Sequence, residues 1–239
     1  MKESKWLRRL CCAAIVVLTV AVLLCGCTGK TGVLSPDDAA TASDAPHSVP
    51  AADPADFSNG TALLPDVWVS DPFPYTGKYV EDGSDDEVES IAAVTLMNRS
   101  ETDYQYLEFT VTTGDAVYAF SASSVHVGST VTVLCKDRTA YAPGEVVSVE
   151  CPVAVAYQTP PTMRQDLFSF EQTEGSFNVR NISGRELPGT ITVYYKSTDA
   201  NGWLGGITFR TVINGLAADE KQWFPAGHMG QIVFVTYEE

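Results

Sequence analysis

The chain has 239 residues, 15 of them basic and 30 acidic, for a net charge of −15, with 45% apolar residues and six cysteines. That length suffices for one or two domains. A surface this acidic repels phosphate and has no counterions to release from it, which excludes nucleic acid as a partner and a basic patch for anionic lipid.

Lys2, Lys5, Arg8 and Arg9 precede an apolar run from Leu10 to Leu24, which ends in Leu24-Cys25-Gly26-Cys27. About 15 apolar residues fall short of the roughly 20 that span a bilayer, so residues 1–26 read as a secretory signal. The ending resembles the bacterial lipobox, with Cys25 standing where Ala or Ser is usual. That resemblance implies cleavage before Cys27 and lipidation of its thiol; the plainer alternatives are an unlipidated cleaved signal or a short uncleaved anchor. Each buried methylene of an acyl chain adds roughly 0.8 kcal/mol, and more than one chain is needed for a stable hold on the membrane. Loss of the leader removes Cys11, Cys12 and Cys25 and leaves 11 basic against 29 acidic residues, a net charge of −18.

Residues 27–60 form the lipidated cysteine and a tether. From Thr28 to Gly60 the chain is mostly Ala, Asp, Ser, Thr, Pro and Gly, a composition that buries too little surface to offset its ordering entropy. Such a tether reaches about 30 Å, and His47 within it reads as a solvated linker residue. Residues 61–87 form a lead-in in which prolines alternate with aromatics (Leu63-Leu64-Pro65-Asp66-Val67-Trp68, then Asp71-Pro72-Phe73-Pro74-Tyr75). They fit an irregular first strand laid along the folded domain better than a solvated Pro-rich recognition segment, because so many large apolar groups are seldom left in water. The acidic run from Glu81 to Glu89 lacks the alternating ligand spacing of an EF-hand loop and reads as a solvated loop, with a weak calcium site as the alternative.

From Ile91 the chain is strand-like throughout: short runs of β-branched and aromatic residues divided by polar and glycine turns, with almost no helical stripe. The pattern occurs twice, in residues 88–158 and 164–239. Phe177-Asn178-Val179-Arg180-Asn181-Ile182-Ser183 matches the segment ending Asn98-Arg99-Ser100; Thr190–Tyr195 matches Leu107–Thr112; and Ile232–Tyr237 matches Val153–Tyr157 with the residue before it. The second copy has a long central hairpin turning at Asn201-Gly202, the pair best suited to a type I′ turn, while the first has a longer excursion through 136–141. Gln158-Thr159-Pro160-Pro161-Thr162 joins them as a short stiff linker. The expected fold is all-β, with two tandem immunoglobulin-like antiparallel sandwiches. Cys135 and Cys151 flank Pro143-Gly144, which reads as a hairpin tip, so a cross-strand disulfide and two free thiols are both open in an exported protein.

The second copy, from Val179-Arg180-Asn181-Ile182-Ser183 through Val193-Tyr194-Tyr195-Lys196 to Gly215-Leu216-Ala217-Ala218-Asp219-Glu220, resembles the FxLYD type of small immunoglobulin-like domain, although Phe-x-Leu-Tyr-Asp itself is absent. The whole chain is similar to clostridial lipoproteins that carry a signal, a low-complexity tether and a β-rich region. The resemblance implies a fold and a location, and it carries over no catalytic residue.

No nucleophile elbow, phosphate loop or His-Glu-x-x-His stands in the sequence. His126 and His228, one per copy, are poor material for a metal site or a triad, and Cys135 and Cys151 lack further ligands at zinc spacing. The expectation is therefore a non-enzyme without metal or cofactor: a lipid-anchored extracytoplasmic protein that binds or scaffolds an envelope protein or glycan. An accessory solute-binding or sensing lipoprotein is the alternative and a structural spacer a third reading. A pocket between the two copies would favour the solute-binding reading, and two closed sandwiches with filled cores the binding module. Trp203 and Leu204, just after the Asn201-Gly202 turn, are the candidate partner-binding residues, because aromatics at a loop tip make good anchors; the competing account folds Trp203 back over the sandwich and puts Trp223 in the core.

Overall fold

The computed structural model describes residues 60–114, 116–173, 176–225 and 230–239. Cys27, the signal, nearly all of the tether and His228 lie outside the described residues. The protein is all-β, and no helix occurs among the described residues. In chain order the strands are β1 (Thr61–Leu64), β2 (Val67–Val69), β3 (Phe73–Tyr79), β4 (Asp86–Asn98), β5 (Tyr104–Thr113), β6 (Ala116–Val125), β7 (Thr130–Leu134) and β8 (Val146–Ala156), then β9 (Phe168–Thr173), β10 (Ser176–Asn181), β11 (Leu187–Asp199), β12 (Gly202–Leu216), β13 (Lys221–Pro225) and β14 (Gln231–Glu238).

Alternation writes these strands. In β5, Leu107, Phe109, Val111 and Thr113 are buried while the residues between them are not, and β6 does the same with Tyr118, Phe120 and Ala122, as a half-buried strand of period two requires. The antiparallel sheet β6-β5-β8 packs on β2, β4 and β7 around a core that includes Leu96, Leu107, Phe109, Tyr118, Phe120 and Val133. In the second half β13-β10-β9 packs on β12-β11-β14 around Phe168, Phe177, Val179, Ile191, Val193 and Ile213. The Pro/aromatic lead-in is built into the first sandwich. β2 and β3 run antiparallel to successive parts of β4, interrupted at Ser70–Pro72, where Ser70 N donates to the Thr95 carbonyl at 2.9 Å.

The duplication is visible strand for strand. β5 pairs with β6 and β8 as β11 pairs with β12 and β14, and β4 pairs with β7 as β10 pairs with β13. It is visible at one corner atom for atom. Asn98 and Asn181, both fully buried, end equivalent strands. The Asn98 amide donates to the carbonyls of Thr102 (2.8 Å) and Val125 (3.1 Å), and its oxygen accepts Ser100 N and Oγ at 3.0 and 2.7 Å. The Asn181 amide donates to Arg185 (2.6 Å), Leu216 (3.1 Å) and Ala217 (3.0 Å), and its oxygen accepts Ser183 N and Oγ at 2.9 and 2.7 Å. The repeated Asn-x-Ser is thus a corner device that satisfies backbone groups which the turning strand has freed.

The two sandwiches also share a sheet. β7, at the edge of the first, pairs in parallel with the start of β12 in the second, Trp203 against Val131 and Leu204 against Thr132, giving one eight-stranded sheet in the order β1-β2-β4-β7-β12-β11-β14 with β3 beside β4. To serve both halves β12 must leave its own ladder briefly. Residues 205–208 stand against the single residue Lys196 of β11, a bulge larger than the usual two-against-one. Gly205 has a φ of +88°, and a Cβ on Gly206 would collide with the Ser121 carbonyl, so both positions require glycine.

Candidate functional site

The junction between the sandwiches concentrates what chemistry the fold has. Trp203 is 4% exposed and lies in the core of the first sandwich, with its Nε1 donating to Gln231 Oε1 at 2.7 Å. Leu204 is 6% exposed, in a smaller cluster with Tyr79, Val80, Ile91, Ala93 and Leu134. Neither is a partner-binding anchor, which corrects the expectation from the sequence. The tight turn leads straight into the parallel pairing with β7, and that pairing points Trp203 inward. The exposed tryptophan is Trp223, 50% accessible on β13, with Lys221 Nζ 5.3 Å from its ring centroid, while Phe224 beside it packs against the second core.

Beneath the bulge lies a buried charge. Lys196 is fully buried, and its Nζ donates to the carbonyls of Gly206 (3.0 Å) and Ile207 (3.2 Å), which the bulge takes out of the ladder. Glu81, from the turn between β3 and β4, supplies the opposite charge. Its Oε1 accepts Leu134 N (2.9 Å) and Gly206 N (2.8 Å) and its Oε2 accepts Ile207 N (3.2 Å). Burial pulls the Lys196 ammonium down to about 7, with Glu81 holding against it. Burial likewise pushes the Glu81 carboxyl upward, against the backbone N–H groups and Lys196. Each group offsets part of the other's desolvation.

Two further acids of the run, Asp82 and Asp86, are bound by an arginine. Arg138 Nη2 donates to Asp82 Oδ2 (2.6 Å), Ser84 Oγ (3.3 Å) and Asp86 Oδ2 (3.1 Å), and its guanidinium lies 4.4 Å from the Tyr79 ring centroid. Hydrogen bonds from Ser84 and the Arg138 pairing hold Asp82 down at about 2. A guanidinium nitrogen therefore stands where three loop oxygens converge. A cleft of about 350 Å³ opens beside it, lined in part by Lys136, Asp137 and Ser121.

Cys135 and Cys151 are free thiols. The hairpin inferred between them does not form, because β7 and β8 belong to opposite sheets and the chain between them crosses the sandwich. Cys135 is fully buried, and burial pushes the half-buried Cys151 thiol up while it donates to the Val153 carbonyl at 3.3 Å. His126 sits on the junction. Its Nδ1 is 3.2 Å from Asp103 Oδ1, its ring stacks on Tyr157 (centroids 6.1 Å apart) and meets Phe234 edge-on, and its buried Nε2 has no partner among the described residues. Burial lowers its affinity for a proton, Asp103 opposing.

A second open feature is a groove of about 730 Å³ between the sandwiches, lined in part by the connector residues Thr159, Pro160, Pro161 and Thr162. Its walls come from both halves: Gln105, Ser123, Ser124 and Tyr157 on one side, Tyr194, Thr208, Phe234 and Tyr237 on the other. The rings are fixed in place. Tyr194 stacks on Phe234 at 4.2 Å, Tyr157 meets Phe234 edge-on at 6.1 Å, the Tyr157 hydroxyl is 3.1 Å from Ser124 Oγ, and the Tyr237 hydroxyl accepts Gly189 N. Sequence reasoning missed these residues because the aromatics are spread over the end of β8, β11 and β14 and read locally as ordinary core material. The one available signal was the correspondence of Tyr157 with Tyr237 in the repeat. Comparison with family models, with curated proteins and with solved structures returned no match.

Proposed function

We propose that the protein is a lipid-anchored, extracytoplasmic, non-catalytic binding protein of the bacterial cell surface, and that the groove between its two immunoglobulin-like sandwiches is its binding surface. The observation that carries the reading is the aromatic groove itself: a concavity of about 730 Å³ built by both halves, with rings locked by mutual stacking and hydrogen bonds. A preorganised ring loses little freedom on binding, so its contact area converts into affinity. Each sandwich carries its own cluster of buried apolar side chains, and the groove is open. An open groove suits a segment of a larger envelope molecule better than an engulfed small solute, which sets the accessory solute-binding alternative second. The lipobox-like Leu24-Cys25-Gly26-Cys27 and the tether support display at a membrane surface.

The test uses the full chain in its bacterial host. Palmitate labelling and membrane fractionation are expected to follow the wild type and to be lost in Cys27→Ala. Retention of native cell-envelope fragments is expected to fall in Tyr157→Ala/Tyr194→Ala. Envelope retention that is unchanged in the groove variant would sink the binding-surface reading, and unlabelled wild-type protein would sink the anchor.

A further inference from the structure

Resting on that reading, we infer that the groove takes an uncharged glycan, with sugar rings laid on Tyr194 and Tyr157 and hydroxyls met by Gln105 and the tyrosine phenols. Three observations select this chemistry. The first is charge. Arg164 and Glu238 are the only ionisable lining residues besides the tyrosines, and Arg164 is already held bidentate by Asp166 at 3.0 and 3.1 Å. Nothing there neutralises a phosphate, sulfate or uronate, and the chain's net charge of −15 repels them. The second is the pairing of faces with hydroxyls. Half-buried tyrosine rings stand beside two groups that make no hydrogen bond among the described residues, the Gln105 amide and the Tyr194 hydroxyl. A pyranose presents the matching surface, an apolar C–H face rimmed by hydroxyls. The third concerns the sheet edge. β14 is the edge strand of this wall, and a peptide adding to it would need its backbone groups. Val235 N, however, already donates to the Thr162 carbonyl at 3.1 Å, so the connector interrupts that edge in the middle of β14. Recognition is left to rings and side-chain polar groups.

The experiment is calorimetric titration of the full-length lipidated protein in detergent micelles. The probes are neutral tetrasaccharides built from glucose, mannose, galactose or N-acetylglucosamine, with a ten-residue polyproline peptide for comparison. At least one tetrasaccharide is expected to bind saturably, Tyr194→Ala to weaken it by about tenfold, and Gln105→Ala, at an exposed position that bears no load in the fold, by about fivefold. Trp223→Ala, on the outer face of β13, is expected to leave affinity unchanged. Binding of polyproline alone, or sugar binding indifferent to Tyr194 and Gln105, overturns the glycan assignment. Absence of binding to every probe also overturns it; if envelope retention is still lost in the groove variants, the binding surface stands and only its ligand class is wrong.

Discussion

The Glu81 carboxylate reaches out of the first sandwich to accept the Gly206 N–H of the second at 2.8 Å, and Lys196 donates to the Gly206 carbonyl at 3.0 Å. One peptide unit on either side of Gly206 is therefore held by two opposite charges from different halves of the chain. Removing only one charge leaves the other uncompensated in the interior. Glu81→Ala is expected to cost about 3–5 kcal/mol in urea unfolding. The double variant Glu81→Gln/Lys196→Met should cost clearly less than the sum of the single changes, and additivity would show that the two charges do not sense each other.

Trp203→Ala should behave as a core truncation. The indole fills part of the first core although it belongs to a strand of the second, so the loss is expected to be about 3–5 kcal/mol, measured by denaturant melts. It should lower the cooperativity between the halves as well. A variant as stable as the wild type would contradict the buried position.

The two buried bases give proton linkage of one sign, while Glu81, whose carboxyl burial pushes upward, gives the opposite sign as pH rises above the ordinary carboxylate range. His126 is neutral in the fold, while an unfolded chain protonates it near 6.5, so stability is lost as pH falls below that value. His126→Gln should flatten this limb. Lys196 is held down at about 7 against 10.5 when unfolded. The unfolded state then binds the extra proton between these values, and stability should rise with pH from about 7 until the tyrosines titrate. Urea melts across pH 5–10 on the wild type and on His126→Gln check both limbs.

Thiol chemistry is the simplest check on the first sandwich. Cys135 should resist alkylation until the protein unfolds, and Cys151 should react slowly, as expected for a half-buried thiol whose ionisation is pushed up. Peptide mapping after iodoacetamide is expected to recover both as separate modified cysteines. A 135–151 cross-linked peptide would show that the opposite sheets approach more closely than described.

The repeated corners give a paired prediction. Asn98→Ala and Asn181→Ala each strand several buried backbone groups and should each cost about 2–4 kcal/mol. Asn178, three residues before Asn181 on β10, has an Oδ1 without a partner among the described residues, and Asn178→Ala should cost less.

The all-β character and the repeated strand pattern were legible in the sequence because they rest on local facts: alternation at Leu107–Phe109–Val111, glycine-rich turns, and the recurrence of Asn-x-Ser. Pairing between the copies was not legible. Nothing local distinguishes a hairpin tip from a strand that crosses to another sheet, so Trp203 read as an anchor and Cys135 and Cys151 read as neighbours. Glu81 shows the same limit. It begins a run of acids, and its environment comes from Leu134 and Gly206, residues far along the chain. Lys196, a lone cation closing the apolar run Ile191-Thr192-Val193-Tyr194-Tyr195, was the one hint that this strand meets something charged.

The parallel pairing of β7 with β12 sets a timetable. A chain made from its N-terminus has delivered every strand of the first sandwich by Ala156, yet the edge at β7 is still bare and the place for Trp203 is empty. The first half must wait through some 45 more residues before the indole arrives to close it. During that interval its exposed edge is open to any other extended chain nearby.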